Sequence, residues 1–445
     1  MLTQHFRQED EMHAANTCAF AKSGIAAIIG LYFIHSPSLN AAEWYLEPSI
    51  SGRVEYNDNL QMRSRDELSA TEYAIKPNIS LGRRTARSNL QGYLAYEPRR
   101  FTEDELNTNS SWINLNGYYG LTERQQINLS FSQIKDTTLE SELEETGIIY
   151  DRAERNRISV NPGWSYAWSE TTALNAAIGY TTVDYDESPN TGISDYDTGS
   201  ATFSVAYRSS PATMWTLGLG ATRYERDDGL VKSENTQLTL GLEHDYTQRL
   251  KFSASAGVRQ TETEVQRGSL ECPAGTTLVP FELIPVLGAP CIDVDTFTPT
   301  NFIVVTEPTT GDSTGALASL NTTYQLERGE IGIDISRTVS PSAISGLIVT
   351  DKVGVSLSHR FSETLTGRFH ASWYQTQNTD DSNTQVDRTY FRVAPSLEWK
   401  LARDWRFAAQ YRYMKQEREG ALDSAAGNVV SLSLTYDWPP YTASR

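Results

Sequence analysis

Beyond residue 42 the chain holds three histidines, His244, His359 and His370, and two cysteines, Cys272 and Cys291. A histidine that meets a carboxylate and a hydroxyl can act as general base for a nucleophile. His244 and His359, however, fall on the apolar parity of their segments near short turns, where packing at a membrane interface accounts for them. His370 falls on the polar parity with no nucleophile near it in sequence. A His-Glu-x-x-His pair, a phosphate-binding loop and a Cys-x-x-Cys pair are all absent from the sequence. The reading is therefore of no catalytic residues, no metal and no cofactor. Cys272 and Cys291 share one long polar loop, and an even pair in an exported chain reads as a disulfide. The alternative, a redox or metal pair, lacks the four ligands of a structural zinc site and any nearby histidine.

The elements that carry these residues are set by alternation. Trp44, Leu46, Pro48, Ile50, Gly52, Val54 and Tyr56 take every second position, with Tyr45, Glu47, Ser49, Ser51, Arg53 and Glu55 between them. Alternate side chains of a strand point to opposite faces, so such a segment has one apolar and one polar face. The same pattern recurs to Val430, Leu432, Leu434, Tyr436 and Trp438. It predicts strands near 44–57, 70–84, 88–101, 110–121, 125–136, 154–168, 172–185, 196–208, 213–225, 233–247, 249–263, 313–327, 329–340, 347–361, 363–376, 387–401, 403–416 and 428–438. Tilted strands that cross a bilayer need about 9–11 residues. Mean hydropathy is −0.46 and hydrophobic residues make up 39% of the chain. That is too polar for helices in a bilayer but not for a barrel, in which only alternate residues meet lipid. The fold class predicted is all-β: a transmembrane antiparallel up-and-down β-barrel of about eighteen strands.

The connections alternate in length, which predicts short periplasmic turns and long extracellular loops, with both termini in the periplasm. Aromatic residues end or begin strands at the short turns. Trp44, Trp168, Tyr207, Trp215, Tyr246, Trp399, Trp405 and Trp438 are expected to form the periplasmic girdle. Tyr56, Tyr73, Tyr96, Tyr119 and Tyr185 are expected at the outer interface. Residues 1–42 read as a signal peptide, with an apolar run from Gly24 to Ile34 and small residues at Ala41 and Ala42; Met12 is an alternative start. The barrel is placed at 43–438, and 439–445 as a short periplasmic tail.

Charge is distributed unevenly around a net −18. The long connections are acidic, as in Glu103-Asp104-Glu105, Glu140 to Glu145 and Asp227-Asp228. The simpler account is solvated loops, and the sharper one is a rim that binds divalent cations or lipopolysaccharide. The polar face of the strands carries cations instead. Parity makes Arg53, Lys76, Arg157, Arg368, Arg392, Arg412, Glu55, Glu97, Tyr93 and Tyr390 candidate pore-lining residues. Arginine rings favour anions in pores, and tyrosines beside hydroxyl and amide groups can stack on sugars. The alternative is that Arg and Glu pair across neighbouring strands and stiffen the wall. The loop 264–312 is the longest and carries apolar residues such as Phe281 and Leu283. It either folds into the mouth as a constriction or lies on the rim to meet a partner.

With Gly52-Arg53-Val54-Glu55-Tyr56-Asn57-Asp58-Asn59-Leu60 after the signal, the chain resembles the β-barrel porin 2 family, whose first strand often ends in such a Tyr-Asp/Asn-Asp-Asn element. The resemblance implies an outer-membrane porin for exopolysaccharide export or a related envelope role. It carries over no catalytic residue. The partners then expected are outer-membrane lipid and lipopolysaccharide, the barrel-assembly machinery, polysaccharide and periplasmic export proteins. Nucleic acid is not expected, since no basic patch or module supports it.

Overall fold

The computed structural model describes residues 42–140, 152–186, 193–274, 276–278, 290–293, 298–301, 303–343, 346–378, 388–418 and 424–444. The expected signal peptide lies almost wholly outside these residues. So do most of the acidic run Glu140 to Glu145 and the apolar residues Phe281 and Leu283.

Among the described residues, eighteen strands close into one antiparallel barrel. They begin with β1 (Glu43–Asn57), β2 (Ala70–Arg84), β3 (Ser88–Phe101), β4 (Thr108–Gly120), β5 (Gln125–Thr137), β6 (Glu154–Ala167), β7 (Thr172–Tyr185), β8 (Tyr196–Ser210), β9 (Thr213–Arg226), β10 (Val231–Asp245) and β11 (Leu250–Glu271). Three short strands, β12 (Thr276–Leu278), β13 (Cys291–Asp293) and β14 (Pro299–Thr300), form a separate small sheet. The barrel resumes with β15 (Ile303–Leu326), β16 (Gly329–Ser342), β17 (Gly346–Arg360), β18 (Leu365–Asn378), β19 (Arg388–Lys400), β20 (Trp405–Arg418) and β21 (Ala425–Asp437). Each strand pairs with the next, and β21 closes the ring on β1 with Gly52 opposite Leu434. A closed ring leaves no unpaired edge for the bilayer to desolvate.

Alternation has its physical outlet here. Leu46, Val54, Ile75, Ile178, Leu217, Leu240, Leu397 and Leu432 are exposed on the outer face. Glu55, Glu72 and Glu97, on the opposite parity, are buried on the inner one. The short turns share one device. The hydroxyls of Thr85, Thr122, Ser169, Thr247 and Ser362 each accept the backbone N–H groups two and three residues on. A side-chain acceptor of this kind reverses the chain without a further residue.

The structure departs from expectation in five places. First, β11 and β15 run on to 22 and 24 residues, well past the expected ends at 263 and 313. Second, two long-loop connections are in fact tight: Tyr224 and Val231 flank a turn at Gly229, with φ +70°, and β16 returns to β17 within three residues, so the alternation of loop lengths is not strict. Third, Tyr119 stands at the short-turn end, opposite Ser88 and Ile127, because β4 is travelling toward the turn at Leu121. Fourth, Tyr185 packs inward beside Tyr196, ring centroids 6.5 Å apart, and supplies no outer girdle. Fifth, Tyr441–Ser444 is no free tail. As β22 it pairs with the start of β1, Glu43 opposite Ser444 and Leu46 opposite Tyr441.

Candidate luminal site

The inner face of β1, β2 and β3 carries a chain of ion pairs. Arg53 binds Glu72 and Glu97, each at 2.7 Å, and lies 3.8 Å from Glu55. Arg412 reaches Glu55 from β20 at 3.1 Å. Lys76 sits 3.4 Å from Glu97 and 3.7 Å from the centre of the Trp112 ring. Arg99 holds both oxygens of Glu72 and pairs as well with Glu140. The cross-strand register places these groups: Arg53 faces Ala74 and Glu55 faces Glu72, so Arg53 lies diagonal to Glu72 and beside Glu55. Glu55, Glu72 and Glu97 have 3–7% of their surface exposed. Removing one partner of such a pair would strand a buried charge, so the network specifies the shape of this wall.

Above this wall the mouth is drawn in by three apolar groups. Met62, from the connection after β1, packs with Tyr374, Tyr390, Met414, Ala425 and Val429, and Leu139 joins them. Leu60 and Leu68 of the same connection pack on Ala70, Phe101 and Leu106. The third group joins separated parts of the wall. Ala343, Leu347 and Val339, at the tip of the β16–β17 hairpin, pack on Val183, Tyr196, Tyr224 and Val231 of β7 to β10. There the Tyr224 hydroxyl donates to the Ser342 carbonyl at 2.9 Å, and the Ser194 N–H donates to the Ala343 carbonyl at 3.2 Å. Gly346 has φ +88°, open to glycine, and a Cβ there would meet Ser233 and Val231 at 3.0 Å.

The Asn57-Asp58-Asn59 element holds the first inward connection. Asn59 is fully buried; its side-chain amide donates to the carbonyls of Arg63 and Ala426, and its oxygen accepts the Arg63 N–H. Asn57 accepts the Asn59 N–H. These bonds impose a left-handed backbone on Met62, φ +46°, and direct its side chain inward. A non-glycine residue in that region is uncommon and persists where its surroundings over-determine it.

Between the ion pairs and the inward loops lies a cavity of about 430 Å³. Arg53, Lys76, Arg392, Arg412, Glu55, Glu97 and Tyr390, among the residues predicted from parity, line it. Arg157, Arg368 and Tyr93 stand elsewhere on the inner face, Arg368 paired with Glu398 at 3.0 Å. Sequence reasoning missed Trp112, Met62, Leu139, Glu140 and Arg152. Trp112 was findable, since it shares the inner parity of β4 with Ser110, Asn114 and Asn116. The others lie in or beside connections, where there is no period to read.

Trp44, Trp168, Tyr207, Trp215, Tyr246, Trp399, Trp405 and Trp438 are all exposed at the short-turn end of their strands. His244 and His359 pack there against Phe252 and Phe361, ring centroids 5.6 and 4.9 Å away. The sequence Gly311-Asp312-Ser313-Thr314-Gly315 has the spacing of a nucleophile elbow, but it is extended inside β15 and Ser313 accepts from Arg259 at 3.3 Å. An elbow needs a sharp strand-to-helix turn. No group of three or more metal-ligating side chains occurs among the described residues. Cys272 and Cys291 form a disulfide, Cα atoms 5.6 Å apart. Among the described residues the mouth is drawn in by Leu60, Met62, Leu68, Leu139, Val339, Ala343 and Leu347, while the apolar part of 264–312 lies outside the described residues.

Residues 317–437, which span most of β15 through β21, match the family model described as "Putative beta-barrel porin 2", the family that the first-strand element resembles. A search of curated proteins found no match. Among solved structures the chain is similar to the ferric-catecholate import receptor Fiu of E. coli K12 in its open form, at 8% identity and TM-score 0.45, covering 88% of this chain and 81% of that one. It is similar also to OpdK of Pseudomonas aeruginosa with vanillate, at 10% identity and TM-score 0.43, covering 90% and 99%, and to OccAB3 of Acinetobacter baumannii, at 9% identity and TM-score 0.42, covering 89% and 99%.

Proposed function

We propose that this outer-membrane, porin-like β-barrel is a passive channel for polar, carbohydrate-class solutes, serving the outer-membrane step of exopolysaccharide export. The observation that carries the reading is the cavity between the Arg53–Glu97 ion pairs and the inward-folded Met62 connection. A barrel of this strand number leaves a water-filled interior, and here that interior narrows to a charged, aromatic-lined passage. Fixed side chains at a narrowing select what passes by size and charge. The family match supports a porin, and the resemblance supplies the polymer.

Planar-bilayer recordings on the purified barrel test the reading. Conductance that polysaccharide fragments block is the expected result. A barrel that never conducts, including after deletion of 339–347, would overturn it.

A second reading follows from the drawn-in mouth and the disulfide-bearing β11–β15 extension: a receptor or structural protein that meets envelope components at its rim. Deleting 264–312 would then abolish partner binding and leave any conductance intact.

A further inference from the structure

The described residues of the cavity wall hold six cations, Arg53, Lys76, Arg99, Arg152, Arg392 and Arg412, against four anions, Glu55, Glu97, Asp136 and Glu140. Bringing in Glu72 and Arg155, which pair from behind the lining, gives seven against five. This local excess of positive charge lies in a chain of net charge −18. One residue accounts for much of it. Arg152 donates to the Leu106 carbonyl and lies over the Phe101 ring, 5.3 Å from its centre, and among the described residues no carboxylate forms an ion pair with it. Arg99 flanks the same ring at 5.8 Å. Burial, and after it the positive charge of Arg99, pull the Arg152 guanidinium below its ordinary value and outweigh the attraction of Glu154 and Glu72. Trp112, with Lys76 over its ring, also lines this space, while Tyr390 is buried in its wall.

We propose that this cavity is a subsite for an acidic sugar, with Arg152 binding its carboxylate beside the Trp112 indole. The sugar part rests on the channel reading above; the anion part rests on Arg152 alone. A guanidinium presents paired N–H donors that match a carboxylate. Phe101 and the Leu106 carbonyl already hold the Arg152 side chain in place, so little freedom is lost on binding. The cavity volume lies within the range of about 300–1,000 Å³ typical of ligand sites.

Calorimetry on the full-length barrel refolded in detergent tests this without requiring conductance, so its outcome is independent of whether the channel reading holds. The probes are trigalacturonate, neutral maltotriose and inorganic sulfate. The wild type is expected to bind trigalacturonate at least tenfold more tightly than maltotriose or sulfate, and less tightly as salt rises. Arg152→Gln should lose at least tenfold toward trigalacturonate, with Arg152→Lys between the two. Arg124→Gln, at an exposed short turn, should bind as the wild type does. Equal affinity for acidic and neutral trisaccharide, sulfate binding as tightly as trigalacturonate, or unchanged binding in a folded Arg152→Gln barrel would each overturn the proposal. If Arg152→Gln fails to fold, Arg152→Lys decides, since a carboxylate held bidentately should weaken several-fold on that exchange too.

Discussion

Asp58 accepts from both nitrogens of Asn428, the backbone N–H at 2.6 Å and the side-chain amide at 2.8 Å, and so ties the end of the first barrel strand to the start of the last. The Asp58 N–H returns a bond to the Asn428 carbonyl at 3.1 Å. Hydrogen bonds to a charged group contribute about 1.5–3 kcal/mol. Asp58→Ala should therefore lower the temperature at which the folded barrel loses its compact form in heat-modifiability gels. Peptides covering 57–63 and 425–430 should exchange amide hydrogen faster. Unchanged exchange at both would remove the clasp role.

Tyr224→Phe keeps the ring in its apolar group and deletes the bond to Ser342. The stranded carbonyl is buried, at a cost of about 1–3 kcal/mol. Amides of 339–349 should lose protection while those of β1 to β5 keep theirs. Single-channel records should show more frequent opening. Uniform loss over the whole barrel would mean that the hairpin tip is not a separate unit.

Met62→Ala should release the first inward connection, with a loss of about 2–5 kcal/mol for a buried methionine. Gly427→Ala should act through the same contact, because a Cβ there would lie 3.0 Å from the Met62 sulfur. The two changes should not add: once Met62 is alanine, Gly427→Ala has little left to displace. Proteolysis within 60–68 under native conditions measures all three variants, and strict additivity would refute the shared contact.

Acid should loosen the β9–β10 turn. Burial pushes the Asp228 carboxyl up, but bonds from the Arg226 side chain and the Leu230 N–H outweigh it and hold the carboxyl below its ordinary value. A carboxylate held low stabilises the folded turn above the ordinary range near about pH 4, and that stabilisation is lost as pH falls through the folded value. Exchange at 227–231 should rise at acid pH in the wild type. It should be fast at every pH in Asp228→Asn, and a wild type with no pH dependence would contradict the assignment.

Reduction of Cys272–Cys291 should act locally. The bond closes a loop with a sequence separation of 19, worth about 3 kcal/mol in the chain-entropy model. Residues 273–290 should become open to protease on reduction while heat-modifiability of the barrel stays the same. A barrel that unfolds with the disulfide would show that the extension supports the wall.

Period two made much of this molecule legible. β2, β3 and β7 run over the residues the alternation marks, and Arg53, Lys76, Glu97 and Arg412 face inward as their parity requires. Alternation reports a face, though, and says nothing of height. Tyr119 was misplaced because direction of travel, not parity, decides which end of the barrel a residue reaches. Tyr185 was misplaced against parity: Ile178 and Tyr180 point outward, so Tyr185 points inward with Val183. Met62 and Arg152 stood beyond reach, because an irregular connection is shaped by bonds such as those of Asn59, which join residues more than 360 positions apart. The Asn57-Asp58-Asn59 run was legible as a family element and as the start of a loop, but its work in the seam needed the last strand beside it.

Glu43 and Ser444 stand opposite one another in a single ladder, so the start of β1 and the end of β22 lie side by side. In a gene begun at Glu43, a few glycine and serine residues could bridge it to Ser444, and fresh ends could be cut at an exposed reversal such as Glu123 or Glu363. Rearranged in this way, the polypeptide should settle into the same shape with a different hairpin emerging first from the ribosome. Which hairpin leads is then a matter of gene layout, free to be varied when studying insertion into the bilayer.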